Sequence, residues 1–130
     1  MKVVADLANL ESVVDCIKKS GKHIILLEGD LGSGKTTLVR AFAKSDEVTS
    51  PTFSIQQVYP GSIYHYDLYN AGFEKFMELG LFEELVKEGY HFIEWPSDEL
   101  KNFLNAIGFD YLSVKIKPLN GKREYTCTNL

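Results

Sequence analysis

Cysteine is scarce: 130 residues hold two, Cys16 and Cys127. They form no C-x-x-C pair, and neither has a His or Cys at ligand spacing. This argues against a disulfide framework and against a zinc finger. Both read as free, buried or half-buried thiols; a single disulfide is a weaker reading and zinc weaker still. Long apolar runs are missing too. The longest aliphatic run is Ile24-Ile25-Leu26-Leu27, far too short to span a bilayer. No apolar segment follows the start, where Asp6 and Glu11 stand, so no secretory signal and no membrane partner are expected, and the expected location is the cytoplasm. There is no run of five like charges, no repeat and no low-complexity tract. The net charge of -4 lacks the basic face with which a chain grips nucleic acid alone. What is present is an ordinary globular balance, 45% hydrophobic and 25% charged. It is enough for one core and one domain over 1–130.

Along the chain, Asn9 is placed to cap a first helix, because Leu10, Val13, Val14 and Ile17 follow at i, i+3, i+4, i+7. Lys18 and Lys19 suit its end, and Gly21 its left-handed stop. The stretch 23–28 lacks alternation and reads as a strand buried on both faces. A helix is expected from Lys35 to Lys44. Pro60-Gly61 separates two β-rich runs and predicts a hairpin, hence a mixed sheet. In its second run Ile63, His65, Asp67 and Tyr69 share one face, with Ser62, Tyr64, Tyr66 and Leu68 on the other. Residues 72–88 read as helical. Phe73, Phe76 and Met77 form one face, Gly80 divides the stretch, and Phe82, Leu85 and Val86 lie on the second part. Residues 90–95 read as a strand stopped by Pro96. Ser97 is placed to cap a helix carrying Leu100, Phe103 and Leu104 inward. Leu112, Val114 and Ile116 alternate with Ser113, Lys115 and Lys117, a half-buried strand. Asn120-Gly121 turns the chain into a last strand through Cys127.

The chemistry is concentrated in Gly29-Asp-Leu-Gly-Ser-Gly34-Lys35-Thr36, a G-x-x-x-x-G-K-T phosphate loop between an apolar strand and a helix. Gly32 and Gly34 let backbone N–H groups aim at phosphate oxygens, and the helix adds its positive end. Lys35 reaches the β- and γ-phosphates, and the Thr36 hydroxyl is placed for Mg²⁺. Asp30, Leu31, Ser33 and Thr37 complete the expected ATP-binding stretch. Hydrolysis requires an acid near the metal and a means to orient water. Glu94 ends the apolar run His91-Phe92-Ile93, where α/β sheets place ligands. Asp67 is a carboxylate on an otherwise apolar strand, which is costly unless paired or liganded. Either acid reads equally well as a salt-bridge partner of a lysine at the sheet margin. The segment Thr49-Ser50-Pro51-Thr52-Phe53 stands where nucleotide-sensing switches occur, but from sequence alone it reads more readily as a Ser-Pro turn into a strand. His65 and Trp95 flank the two acids and are more often packing than chemistry.

A guanine-specific N-K-x-D is absent. Arg40 and Arg123 are the only arginines, too few for the clamping lid of a small-molecule phosphotransferase, so a kinase is disfavoured. What remains is a minimal ATP-hydrolysing module acting on a partner. The alternative is a nucleotide-dependent interaction switch without useful turnover.

GDLGSGKTT, TSPTF, HYDLY and IEWP, in this order and at these intervals, resemble the bacterial TsaE (YjeE) family over roughly residues 7–125. The resemblance implies a three-layer α/β P-loop NTPase domain with a mixed sheet. It implies an ATPase using ATP and Mg²⁺ to support the TsaB–TsaD threonylcarbamoyl transferase in modifying tRNA beside the anticodon, tRNA being held mostly by the partners. Carried over residue by residue, Lys35 binds phosphates and Thr36 ligates Mg²⁺. Glu94 is the second metal-side acid, and Asp67 positions metal-bound or attacking water. Ser50 and Thr52 fall in the switch-like segment, Trp95 stands beside the acid, and Arg123 is placed near the nucleotide. Asn70 departs from the family's arginine, the stretch before TSPTF is shorter than usual, and the adenine-pocket residues are not assigned.

Overall fold

The computed structural model describes residues 1–6, 9–44, 55–70 and 72–129. The Ser50 and Thr52 switch assignment therefore lies outside the described residues. Seven strands form one sheet in the order β1-β7-β6-β2-β5-β4-β3. They are β1 (Lys2–Ala5), β2 (Ile24–Glu28), β3 (Gln56–Tyr59), β4 (Ile63–Asp67), β5 (Tyr90–Glu94), β6 (Leu112–Leu119) and β7 (Lys122–Asn129). The central strands β6, β2, β5 and β4 run parallel. The outer pairs β1–β7, β6–β7 and β3–β4 are antiparallel, so the sheet is mixed, as the hairpins require.

Helices α1 (Glu11–Ser20) and α2 (Lys35–Ala43) contribute to one core with Ile25, Leu27, Phe92 and Val114. Helices α3 (Gly72–Glu78) and α4 (Asp98–Ala106) contribute to a second with Ile24, Leu26, Tyr66 and Ile93. Successive residues of β2 thus feed opposite cores, which explains an apolar run without alternation. Three layers result, a P-loop-type α/β architecture.

The hairpin turn uses left-handed Gly61 and Ser62 (φ 88° and 58°), and the last turn uses Asn120 and Gly121 (47° and 80°), as β-hairpin geometry demands. Ser97 Oγ accepts from Leu100 N at 3.1 Å and caps α4. Both cysteines are free and buried.

The structure corrects several details. Helix α1 starts at Glu11 with Leu10, not Asn9, at the cap and no side-chain cap bond; burial of Leu10 fixes the entry instead. Strand β1, unread in the sequence, exists through antiparallel pairing with β7. The stretch after Gly80 is a 3₁₀ turn, Leu81–Val86. Its three-residue period buries Leu85 and leaves Val86 71% exposed. Ser113 is buried rather than solvent-facing, because its hydroxyl donates to Glu28 at 2.8 Å. The fifth strand ends at Glu94, and Trp95 turns left-handed with φ 61°.

Candidate functional site

Parallel pairing brings the carboxyl ends of β2, β5 and β4 to one edge of the sheet. There Leu27 pairs with Glu94 and Glu94 with Asp67, so all three side chains emerge on one face. Leu27 belongs to the core shared with α2, hence both acids face that helix. Two bonds beyond the ladder hold this end together: Leu68 N donates to Glu94 O at 3.1 Å and Trp95 N to Leu27 O at 3.3 Å.

The phosphate-type loop bridges β2 and α2. Gly32 and Gly34 have φ of 77° and 103°, conformations that a side chain disfavours. Close packing explains Gly29: an added Cβ would lie 2.6 Å from Ser33 Oγ and 3.0 Å from Ile116 O. Glu28, at the loop's root, accepts from Lys101 Nζ at 2.8 Å and from Ser113 Oγ at 2.8 Å. These bonds tie the root to α4 and β6.

Loop and acids enclose a cavity of about 420 Å³ lined by Leu31–Thr37, Asp67, Tyr69, Asn70, Glu94 and Trp95. Lys35 is nearly buried at 5% exposure. Its Nζ donates to Gly29 O at 2.7 Å and Asp30 O at 3.1 Å, and lies 4.0 Å from the Trp95 ring centroid. Burial lowers the Lys35 pKa, opposed by the negative charge of Glu94, Asp67 and Asp30. Tyr69 stacks on the other ring, Trp95, with centroids 4.7 Å apart. The Thr36 hydroxyl donates to Glu94 Oε2 at 3.0 Å, and His65 Nε2 is hydrogen-bonded to the same oxygen. Asp67 Oδ1 accepts from Tyr69 N at 2.9 Å. Burial raises the Asp67 pKa, partly offset by that amide and then reinforced by neighbouring Glu94.

The structure thus gathers Lys35, Thr36, Thr37, Asp67 and Glu94 from three separate stretches of sequence. Asp30 meets Lys35 through its carbonyl. Arg123 does not line the cavity; its Nε donates to Ser33 O at 3.2 Å and braces the loop from β7. Among the described residues neither acid is in a lysine salt bridge at the sheet margin; Glu94 instead faces His65. Sequence reasoning missed Tyr69 as a lining residue and Glu28 as the loop's anchor. Their signal was faint: Tyr69, expected on the face of Asp67, lies in the turn after β4, which ends at Asp67, and Glu28 is a lone acid ending an apolar strand.

Chemically, the arrangement offers a cradle of backbone donors at the start of a helix, one ammonium, and a hydroxyl beside two carboxylates. The Thr36–Glu94 pair is a hard oxygen donor set. Mg²⁺ takes few such ligands from protein when phosphate and water complete its shell.

A family model described as "Threonylcarbamoyl adenosine biosynthesis protein TsaE" matches residues 4–125. The chain belongs to the TsaE family. Among its relatives, the TsaE of Treponema pallidum is 33% identical, with 93% of this chain and 92% of the relative covered. That of Rickettsia prowazekii is 39% identical, with 77% of this chain and 73% of the relative covered. Both carry the description "tRNA threonylcarbamoyladenosine biosynthesis protein TsaE". The crystal structure of Bacillus subtilis YdiB superposes with a TM-score of 0.65 at 28% identity, covering 99% of this chain and 84% of that one. TsaE membership agrees with the P-loop-type α/β fold. Among the described residues, no helix is long and apolar enough to cross a membrane.

Proposed function

We propose that this TsaE-family chain binds Mg-ATP and hydrolyses it to support a TsaB–TsaD threonylcarbamoyl transferase acting on tRNA. The observation that carries the reading is the convergence of the Lys35 ammonium, the Thr36 hydroxyl and the paired carboxylates Asp67 and Glu94 around one cavity at the loop. A bare phosphate-binding turn needs no such acids.

Loop N–H groups and Lys35 hold the phosphates, and Lys35 exchanges its two loop carbonyls for phosphate oxygens as nucleotide enters. Thr36 and Glu94 would hold Mg²⁺, which when bound would supply charge neutralisation at the phosphates. Asp67, whose raised pKa reflects burial, orients water. Arg123 and Glu28 keep the loop in shape from behind. Little else in the cavity can neutralise transition-state charge: Lys35 is the only cationic side chain lining it among the described residues. The isolated chain is therefore slow, and the transferase pair supplies or orders what is missing, in the manner of an activating partner.

The deciding experiment measures steady-state ATPase rates at saturating Mg-ATP with TsaB–TsaD titrated in. The rate should rise with occupancy of the complex. A flat rate with binding shown independently removes partner activation, and no turnover in the complex leaves the nucleotide-dependent interaction switch.

A further inference from the structure

His65 is fully buried on β4 and takes no part in lining the cavity. It pairs in register with Phe92, one pleat below the Asp67–Glu94 pair. Its Nε2 meets Glu94 Oε2. A carboxylate oxygen only accepts, so the hydrogen lies on Nε2. Nδ1 has no partner among the described residues. The ring thus keeps one nitrogen bare in the interior and spends its other on a single contact. Packing alone does not explain this, because an apolar ring would fill the space without an orphaned nitrogen.

Glu94 is itself only 3% exposed, and Oε2 accepts from both His65 Nε2 and Thr36 Oγ1. With that oxygen doubly held, the carboxylate cannot rotate freely, and Oε1 is the oxygen left for chemistry in the cavity that Glu94 lines. The two donors differ in permanence. Thr36 stands at the start of α2, where its hydroxyl is wanted by Mg²⁺. His65 is locked in the sheet.

We propose that His65 is a positioning residue that pins Glu94 Oε2 and so aims Oε1 into the cavity as the metal-side acid, holding it when the Thr36 hydroxyl turns away. This deepens the ATPase reading and rests on it.

Two measurements test it. In the ¹⁵N-labelled, nucleotide-free wild type, long-range ¹H–¹⁵N spectra should show the His65 Nε2 protonated, with a signal that moves in Glu94→Gln. An unprotonated Nε2 overturns the proposal whatever the chain hydrolyses. Kinetics follow with Mg-ATP and the transferase pair present. His65→Phe, which fills space but cannot donate, should lower kcat on the order of 10²-fold, the scale of a misplaced reacting group. Its ATP affinity by calorimetry should stay within about threefold of wild type, since only the chemical step is affected. His65→Gln, whose amide can donate, should recover most of the rate. Wild-type kcat in His65→Phe, or equal losses in both variants with parallel losses of ATP affinity and Tm, overturns positioning in favour of packing. Should His65→Phe not fold, His65→Asn, too short to reach Glu94, takes its place against His65→Gln. A wild type that hydrolyses no ATP with its partners fails the ATPase reading, and the spectrum still decides the contact.

Discussion

Removing the Lys35 ammonium should separate what the site does for folding from what it does for ligand. In Lys35→Ala the protein loses donors at 2.7 Å and 3.1 Å to two loop carbonyls and a cation 4.0 Å from the Trp95 ring centroid. Hydrogen bonds from a charged group contribute about 1.5–3 kcal/mol each and the ring contact about 0.5–2 kcal/mol. Most of that is offset. Burial disfavours the ammonium, as its lowered pKa shows, and the carbonyls regain water from the cavity. The net loss should be about 1–2 kcal/mol, a Tm drop of roughly 3–8 °C, with the fold retained. Ligand binding has no such offset, because the phosphates lose their only side-chain cation among the residues lining the cavity. A loss of about 2–3 kcal/mol corresponds to a Kd roughly 30- to 150-fold weaker. Circular dichroism and thermal melting check the first figure, calorimetric titration with Mg-ATP the second. A folded Lys35→Ala protein with wild-type ATP affinity refutes the phosphate role. If alanine disturbs packing, Lys35→Met keeps the aliphatic stem and decides the matter.

Asp67→Asn gives the opposite pairing of stability and activity. Burial raises the Asp67 pKa, so its favourable contribution is complete below the unfolded carboxylate range, about 4, and is lost as pH rises through the folded value. The Tm of the variant relative to wild type should therefore increase from that pH toward neutrality, while partner-stimulated hydrolysis falls; a constant difference across the range removes the burial argument. Gly89→Ala tests the rear of the sheet. An added Cβ would stand 2.0 Å from Ser62 O at a φ of 124°, so a loss of about 2 kcal/mol or more is expected in denaturant unfolding, and wild-type stability would contradict the packing. Glu94→Ala should lose turnover on the order of 10²-fold with ATP binding largely retained, compared by single-turnover kinetics and calorimetry; unchanged turnover removes it from the mechanism.

Much of the fold was legible because its central strands and helices carry their burial in local pattern. Apolar 24–27 without alternation reads as a strand between two layers, and Leu112, Val114 and Ile116 showed which face of β6 was inward. Local pattern fails where pairing decides. Four residues, Lys2–Ala5, become a strand only because β7 offers an edge. Asn9 has the chemistry of a cap, yet burial of Leu10 sets where α1 begins. The site divides the same way. Lys35 and Thr36 follow from a contiguous motif whose backbone dictates where they stand. That Glu94 and Asp67 stand side by side depends on strand register, and the His65–Glu94 contact joins residues 29 apart. No spacing rule announces such a pair. The direction of Arg123 was equally hidden, since β7 approaches the loop from behind only after two antiparallel turns of the sheet have been laid down.

The stack of Tyr69, Trp95 and Lys35 has a practical consequence. Trp95 is the chain's only tryptophan, and a positive charge lies over its face. Indole emission responds to a charge so placed. Any ligand that draws the ammonium away toward phosphate changes the light this one side chain emits, with no label attached and no other indole to dilute the signal. The protein therefore carries its own optical gauge of where the loop lysine points. Candidate nucleotides and partners can be compared by their effect on this emission, in real time and in the unmodified chain.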